Sequence, residues 1–75
     1  MSYLETDLSG ISVNGDYQDL KIGDIVWIET SEITIKNGEV VGYNIQNALE
    51  TLTIRYLIHE ELEIDVDDIM KIEVQ

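Results

Sequence analysis

Thr51-Leu52-Thr53-Ile54-Arg55-Tyr56-Leu57-Ile58 and, after the connection His59-Glu60-Glu61, Leu62-Glu63-Ile64-Asp65-Val66-Asp67 carry the pattern that decides the fold. Successive side chains of an extended chain point to opposite faces, so alternation with a period of two marks a half-buried strand. The first segment puts Leu52, Ile54, Tyr56 and Ile58 on one face. The second turns Leu62, Ile64 and Val66 inward and Glu63, Asp65 and Asp67 outward.

Downstream, Asp67 or Asp68 can cap a single helical turn through Ile69 and Met70, and Lys71-Ile72-Glu73-Val74 reads as a closing strand. Upstream, Gln46 to Glu50 is polar and reads as a loop. Ile33 to Lys36 and Glu39 to Ile45 flank Asn37-Gly38, a dipeptide suited to the two positive φ values of a type I′ hairpin turn. Gly42, inside the second of these runs, predicts a bulge or bend. Gly23-Asp24 marks a tight turn before the strand Asp24 to Glu29, which is apolar on both faces and leaves Ile25 or Val26 as the inward residue.

Residues 1–20 are less regular. Ser2 and Glu5 have capping-box spacing, Leu4 and Leu8 are four apart, and Ser9-Gly10 can stop a short helical turn. So short a helix is marginal alone, and an irregular arm fits equally. Asn14-Gly15 signals a turn, and Asp16 to Leu20 reads as a second short turn. The prediction is an all-β chain: an arm over 1–20, then a small barrel of five or six strands over 21–75, with one helical turn before the last strand. Its expected core is Ile25 or Val26, with Ile28, Ile35, Val41, Leu52, Ile54, Ile58, Leu62, Ile64, Val66, Ile69, Ile72 and Val74. Closing the sheet would hide strand edges that otherwise invite aggregation.

The run Ile22-Gly23-Asp24-Ile25-Val26-Trp27-Ile28, followed by Asn37-Gly38-Glu39-Val40-Val41-Gly42, resembles the opening of a Src-homology-3-like barrel of the Tudor, KOW or PWWP kind. The turn Val66-Asp67-Asp68-Ile69 is similar to the one that precedes the last strand of such barrels. The likeness spans residues 21–75 and lies in turn and strand patterning that many functions share. The chain departs from the particular subfamilies. It has no proline, hence no P-W-W-P tetrapeptide, and it lacks both the aromatic-acidic loop of proline binders and the basic surface of KOW modules.

Charge restricts the partners. The 75 residues contain 16 acidic and 4 basic side chains, a net charge of −12. The resulting field repels phosphate backbones and anionic lipid, which argues against direct nucleic-acid or membrane binding and for a basic protein or peptide. Solubility is the plainer use of the same charge. With no cysteine, neither disulfides nor thiolate metal sites supplement the core. Residues 1–7 lack the basic and apolar regions of a secretory signal, and no apolar run approaches membrane-spanning length, so the expected location is the cytoplasm, of a cell or an infected host.

Two groups of residues are candidate sites. Trp27, Tyr43 and Tyr56 fall on three successive predicted strands. The barrel resemblance implies that such rings could cage a methylated lysine or arginine through cation–π attraction. Their simpler role is to complete the core with their polar ends outward. Glu60, Glu61, Glu63, Asp65, Asp67 and Asp68 form the densest acidic run. Glu63, Asp65 and Asp67, spaced by two along a strand, lie about 6–7 Å apart, too far to wrap one calcium ion. The run therefore reads as a solvated strand face or a docking surface for a basic partner, with no metal or cofactor expected. His59 beside Glu60 and Glu61 is the one acid–base candidate, and it lacks a nucleophile elbow, a phosphate cradle or a second histidine. No catalysis is expected.

The sequence thus favours a non-catalytic interaction module whose acidic face binds a basic surface or peptide. Two alternatives remain. One is a phage-type inhibitor mimicking nucleic acid through a carboxylate ladder. The other is a structural subunit of a homo-oligomer or virion assembly, using the second apolar face of the Ile25 to Ile28 strand.

Overall fold

A computed structural model describes residues 8–57 and 59–75. The fold is all-β, with seven strands among the described residues: β1 (Gly10–Val13), β2 (Asp16–Asp19), β3 (Ile25–Thr30), β4 (Thr34–Gln46), β5 (Leu49–Leu57), β6 (Glu60–Asp65) and β7 (Ile69–Val74). A 3-10 turn, Val66–Asp68, precedes the last strand, as the sequence predicts. It starts slightly earlier than expected, with Asp65 in the cap position and no side-chain cap bond. Among the described residues no helix is long and apolar enough to cross a membrane.

Strands β3 to β7 form one antiparallel sheet in the order β6-β5-β4-β3-β7, and β1 and β2 form a separate hairpin. The end strands β6 and β7 are not paired with each other, so the sheet is open where a closed cylinder was expected. The hairpin meets the β7 edge instead. Asn14 Nδ2 donates to the Met70 carbonyl and Gln18 Nε2 to the Ile72 carbonyl, each at 2.8 Å. Side-chain amides thus occupy two main-chain acceptors at that edge.

The arm is the largest departure from the sequence reading. The short helix read over Ser2, Leu4 and Glu5 lies outside the described residues. Asn14-Gly15, at φ 52° and 85°, is the turn of the β1–β2 hairpin, and Asp16 to Asp19 is a strand, where a second turn was expected. Leu8, Ile11, Val13 and Leu20 are buried with Val26 and Ile28 in one apolar cluster. Their contribution explains how so short a chain assembles a core from a single sheet.

Two further corrections concern turns. Asn37-Gly38 is no hairpin turn; both residues lie inside β4. The β3–β4 hairpin closes earlier, at Ser31-Glu32. There the Thr30 hydroxyl accepts from the Glu32 and Ile33 main-chain N–H groups at 3.2 and 3.1 Å, and the Thr30 N–H donates to the Ile33 carbonyl at 2.8 Å. A hydroxyl that satisfies two turn donors nucleates the reversal without positive φ. Gly38 serves packing: it is buried, and a Cβ there would stand 2.9 Å from Ile35 Cγ2 and nearer still to Ile54 Cγ2. The expected loop over Gln46 to Glu50 is a two-residue turn, Asn47-Ala48, with β4 and β5 running up to it.

Most of the predicted core is buried: Val26 (so not Ile25), Ile28, Ile35, Leu52, Ile54, Ile64, Val66, Ile69 and Ile72. Leu62 is half-buried against it. At the β4 bulge between Val40 and Gly42, three residues face two of β5. This confirms the bend at Gly42 and shifts the inward position, so that Val40 is buried and Val41 half-exposed. Val74, at the end of β7, is exposed, and Ile58 lies outside the described residues.

Candidate functional site

The acidic run divides according to the strand that carries it. In β6, Leu62 and Ile64 turn to the core while Glu61, Glu63 and Asp65 take the opposite face. Glu61 is drawn aside by Arg55, directly across the ladder, at 2.9 Å. The same guanidinium approaches Glu39 at 3.9 Å. Both side chains of the closer pair are nearly half exposed, so the link orients more than it stabilises. Glu60, at the start of β6, and Asp67, in the 3-10 turn, are exposed.

Glu63, Asp65 and Asp68 belong to one recess of about 280 Å³. Its near wall is Leu62 to Asp65 with Asp68, and its far wall is the β3–β4 turn, Thr30 to Ile33. Four acidic residues (Glu32, Glu63, Asp65 and Asp68) therefore share this mainly polar recess with Ile33, Leu62 and Ile64. None of the chain's four basic residues lines it. Lys71 pairs instead with Glu73 at 3.7 Å and stands 5.4 Å from the centre of the Trp27 ring.

A lysine or arginine side chain has an apolar stem and a charged head, and it prefers a site that is apolar along its length and anionic at its end. The recess is small and open for an ordinary ligand pocket. Among the described residues no group of three or more His, Cys, Asp or Glu is arranged to hold a metal ion. His59 occupies the β5–β6 turn at φ 69°, exposed.

The three rings have separate surroundings. Trp27 is half-buried on β3 under the Lys71 ammonium. Tyr43 packs against the core, and its hydroxyl donates to Glu50. Burial first, then the hydrogen bond to Glu50 and that residue's charge, push its pKa from 10.0 up to about 12. Tyr56 is exposed and lines a different recess with Thr34, Ile35, Lys36 and Asn37. Among the described residues, three recesses line the surface, of which one is bordered by Tyr56 and none by Trp27 or Tyr43.

The sequence reading names Glu63, Asp65 and Asp68 and omits Glu32 and its neighbours, which border the same recess. Thr30-Ser31-Glu32 could have signalled them, since a threonine followed by two polar residues between apolar runs is turn chemistry. The Asn37-Gly38 signal drew the turn to the wrong place. No protein-family model matches this chain, and comparison with curated proteins and with solved structures returns no match.

Proposed function

We propose that this chain is a non-catalytic protein-interaction module that binds a basic protein surface or peptide at the recess between the 31–32 turn and β6. The carrying observation is the lining itself: four acidic residues and three apolar ones on a mainly polar surface, with no basic residue among them. Carboxylates in that setting speed the approach of a cationic partner and reject an anionic one, while the apolar contacts add residence time. A Src-homology-3-like module is part of the same proposal. It is supported by the 3-10 turn before the last strand. A cytoplasmic setting belongs to it as well. Mimicry of nucleic acid is less well supported, because a phosphate-like ladder along β6 is interrupted at Glu61 by Arg55.

The test is a matched pair of charge reversals. Glu63→Lys with Asp68→Lys alters the recess, and Asp16→Lys with Asp19→Lys alters the β1–β2 hairpin by the same net charge. Calorimetric titration with a lysine-rich peptide should show binding weakened about ten-fold or more by the first pair and far less by the second. Equal losses would reduce the interaction to diffuse charge and remove the recess from the reading.

A further inference from the structure

The recess follows a strand edge. Side chains of consecutive strand residues alternate between faces, so a groove bordered by all of Leu62, Glu63, Ile64 and Asp65 runs along the rim of β6. That rim is unpaired among the described residues, since β6 ends the sheet.

The ladder's phase shows which main-chain groups face the groove. Asn47 and Ala48, at φ 54° and 66°, form a two-residue hairpin turn that is closed by the hydrogen-bonded pair Gln46 and Leu49. Antiparallel pairs then alternate, so Leu49, Thr51 and Thr53 direct their main-chain groups to β4, and Leu52 and Ile54 direct theirs to β6. Opposite them, Ile64 and Leu62 are satisfied. Glu63 and Asp65, opposite Thr53 and Thr51, direct their N–H and C=O groups away from β5, along the groove.

We propose that β6 is a docking edge to which an extended peptide carrying lysine or arginine adds as a further strand; this rests on the recess reading above and specifies the partner's conformation. The main chain of Glu63 and Asp65 supplies the hydrogen bonds, and the carboxylates of Glu32, Glu63, Asp65 and Asp68 select the charge. Strand addition of this kind takes affinity from main-chain bonds and specificity from alternate side chains. The same carboxylates disfavour a second copy of this chain as the occupant, because edge-to-edge pairing would bring Glu61, Glu63 and Asp65 of each copy together.

The probe is a short peptide alternating lysine and threonine, compared with a version N-methylated at alternate amides, which keeps every charge and removes the strand-pairing donors. Titrated against the full chain, the parent should bind and shift the amide resonances of Glu63 and Asp65. The methylated form should bind about ten-fold more weakly or worse. On the protein side, Asp65 has φ −68°, which proline adopts without strain, and its N–H faces the groove. Asp65→Pro should therefore weaken binding several-fold beyond Asp65→Asn, which removes the same charge, with thermal unfolding confirming that both variants fold. Equal affinity for the two peptides, or equal loss in the two variants, overturns strand addition and leaves charge docking standing. If neither peptide binds, both readings fall. A dimer held through β6 in sedimentation would also overturn the proposal, because the edge would already be taken.

Discussion

Gly38→Ala should destabilise this protein, although a general rule says the opposite. Gly38 lies within β4 and is not among the residues with positive φ, so alanine can adopt its backbone conformation. On conformational entropy alone, the exchange would stabilise the fold by roughly 0.4–1 kcal/mol. Sterics reverse the sign. The new Cβ would stand 2.9 Å from Ile35 Cγ2 and closer to Ile54 Cγ2, where ordinary contact begins at 3.4 Å. Ile54 is fully buried and Ile35 nearly so, leaving neither methyl an open direction in which to retreat. Overpacking of this kind costs about 1–3 kcal/mol. After the entropic gain, the net loss spans roughly 0–2.6 kcal/mol and centres on about 1.3 kcal/mol, which for a chain of this size lowers Tm by roughly 5–10 °C. Thermal melts followed by far-ultraviolet circular dichroism measure it. An unchanged or raised Tm would mean that β4 does not approach β5 as closely as described, and the packing that replaces the expected Asn37-Gly38 turn would have to be abandoned.

Two other predictions address the bulge and the one shifted ionisable group. Val40→Ala should cost about 1–3 kcal/mol and Val41→Ala well under half of that, because the bulge buries the first and leaves the second half-exposed; urea melts of the two variants check the order. Tyr43 holds its proton more tightly when folded, so its contribution to stability is complete below pH 10.0 and is lost as pH rises through about 12. The stability gap between wild type and Tyr43→Phe should therefore narrow over that range, and a gap that stays constant would show that the hydroxyl's burial and its bond to Glu50 are not felt.

What the sequence makes legible follows from how local each signal is. The alternation from Leu62 to Val66 reads directly as one buried and one acidic face, because a period of two needs no tertiary knowledge. The bend at Gly42 is legible for the same reason. Asn37-Gly38 misleads because glycine has two uses, positive φ and close approach, and only the neighbouring methyls of Ile35 and Ile54 reveal which one operates. Asn47-Ala48 is invisible as a turn because alanine at φ 66° runs against its ordinary preference. The hairpin over 10–19 escapes notice because its strands are short and polar on one side, with stability supplied by Ile11, Val13 and Leu20 meeting a sheet far along the chain. The site divides in the same way. Glu63, Asp65 and Asp68 belong to a contiguous acidic run, whereas Glu32 joins them only through folding.

The most direct measurement is a map of amide chemical-shift changes over the whole chain on titration with the lysine–threonine peptide, at low and at moderate salt. The largest changes should gather at Glu32, Ile33, Asp68 and Leu62 to Asp65, and they should shrink as salt screens the carboxylates. Changes centred on the β1–β2 hairpin, spread evenly over the surface or indifferent to salt would show that the recess is not where a basic partner docks.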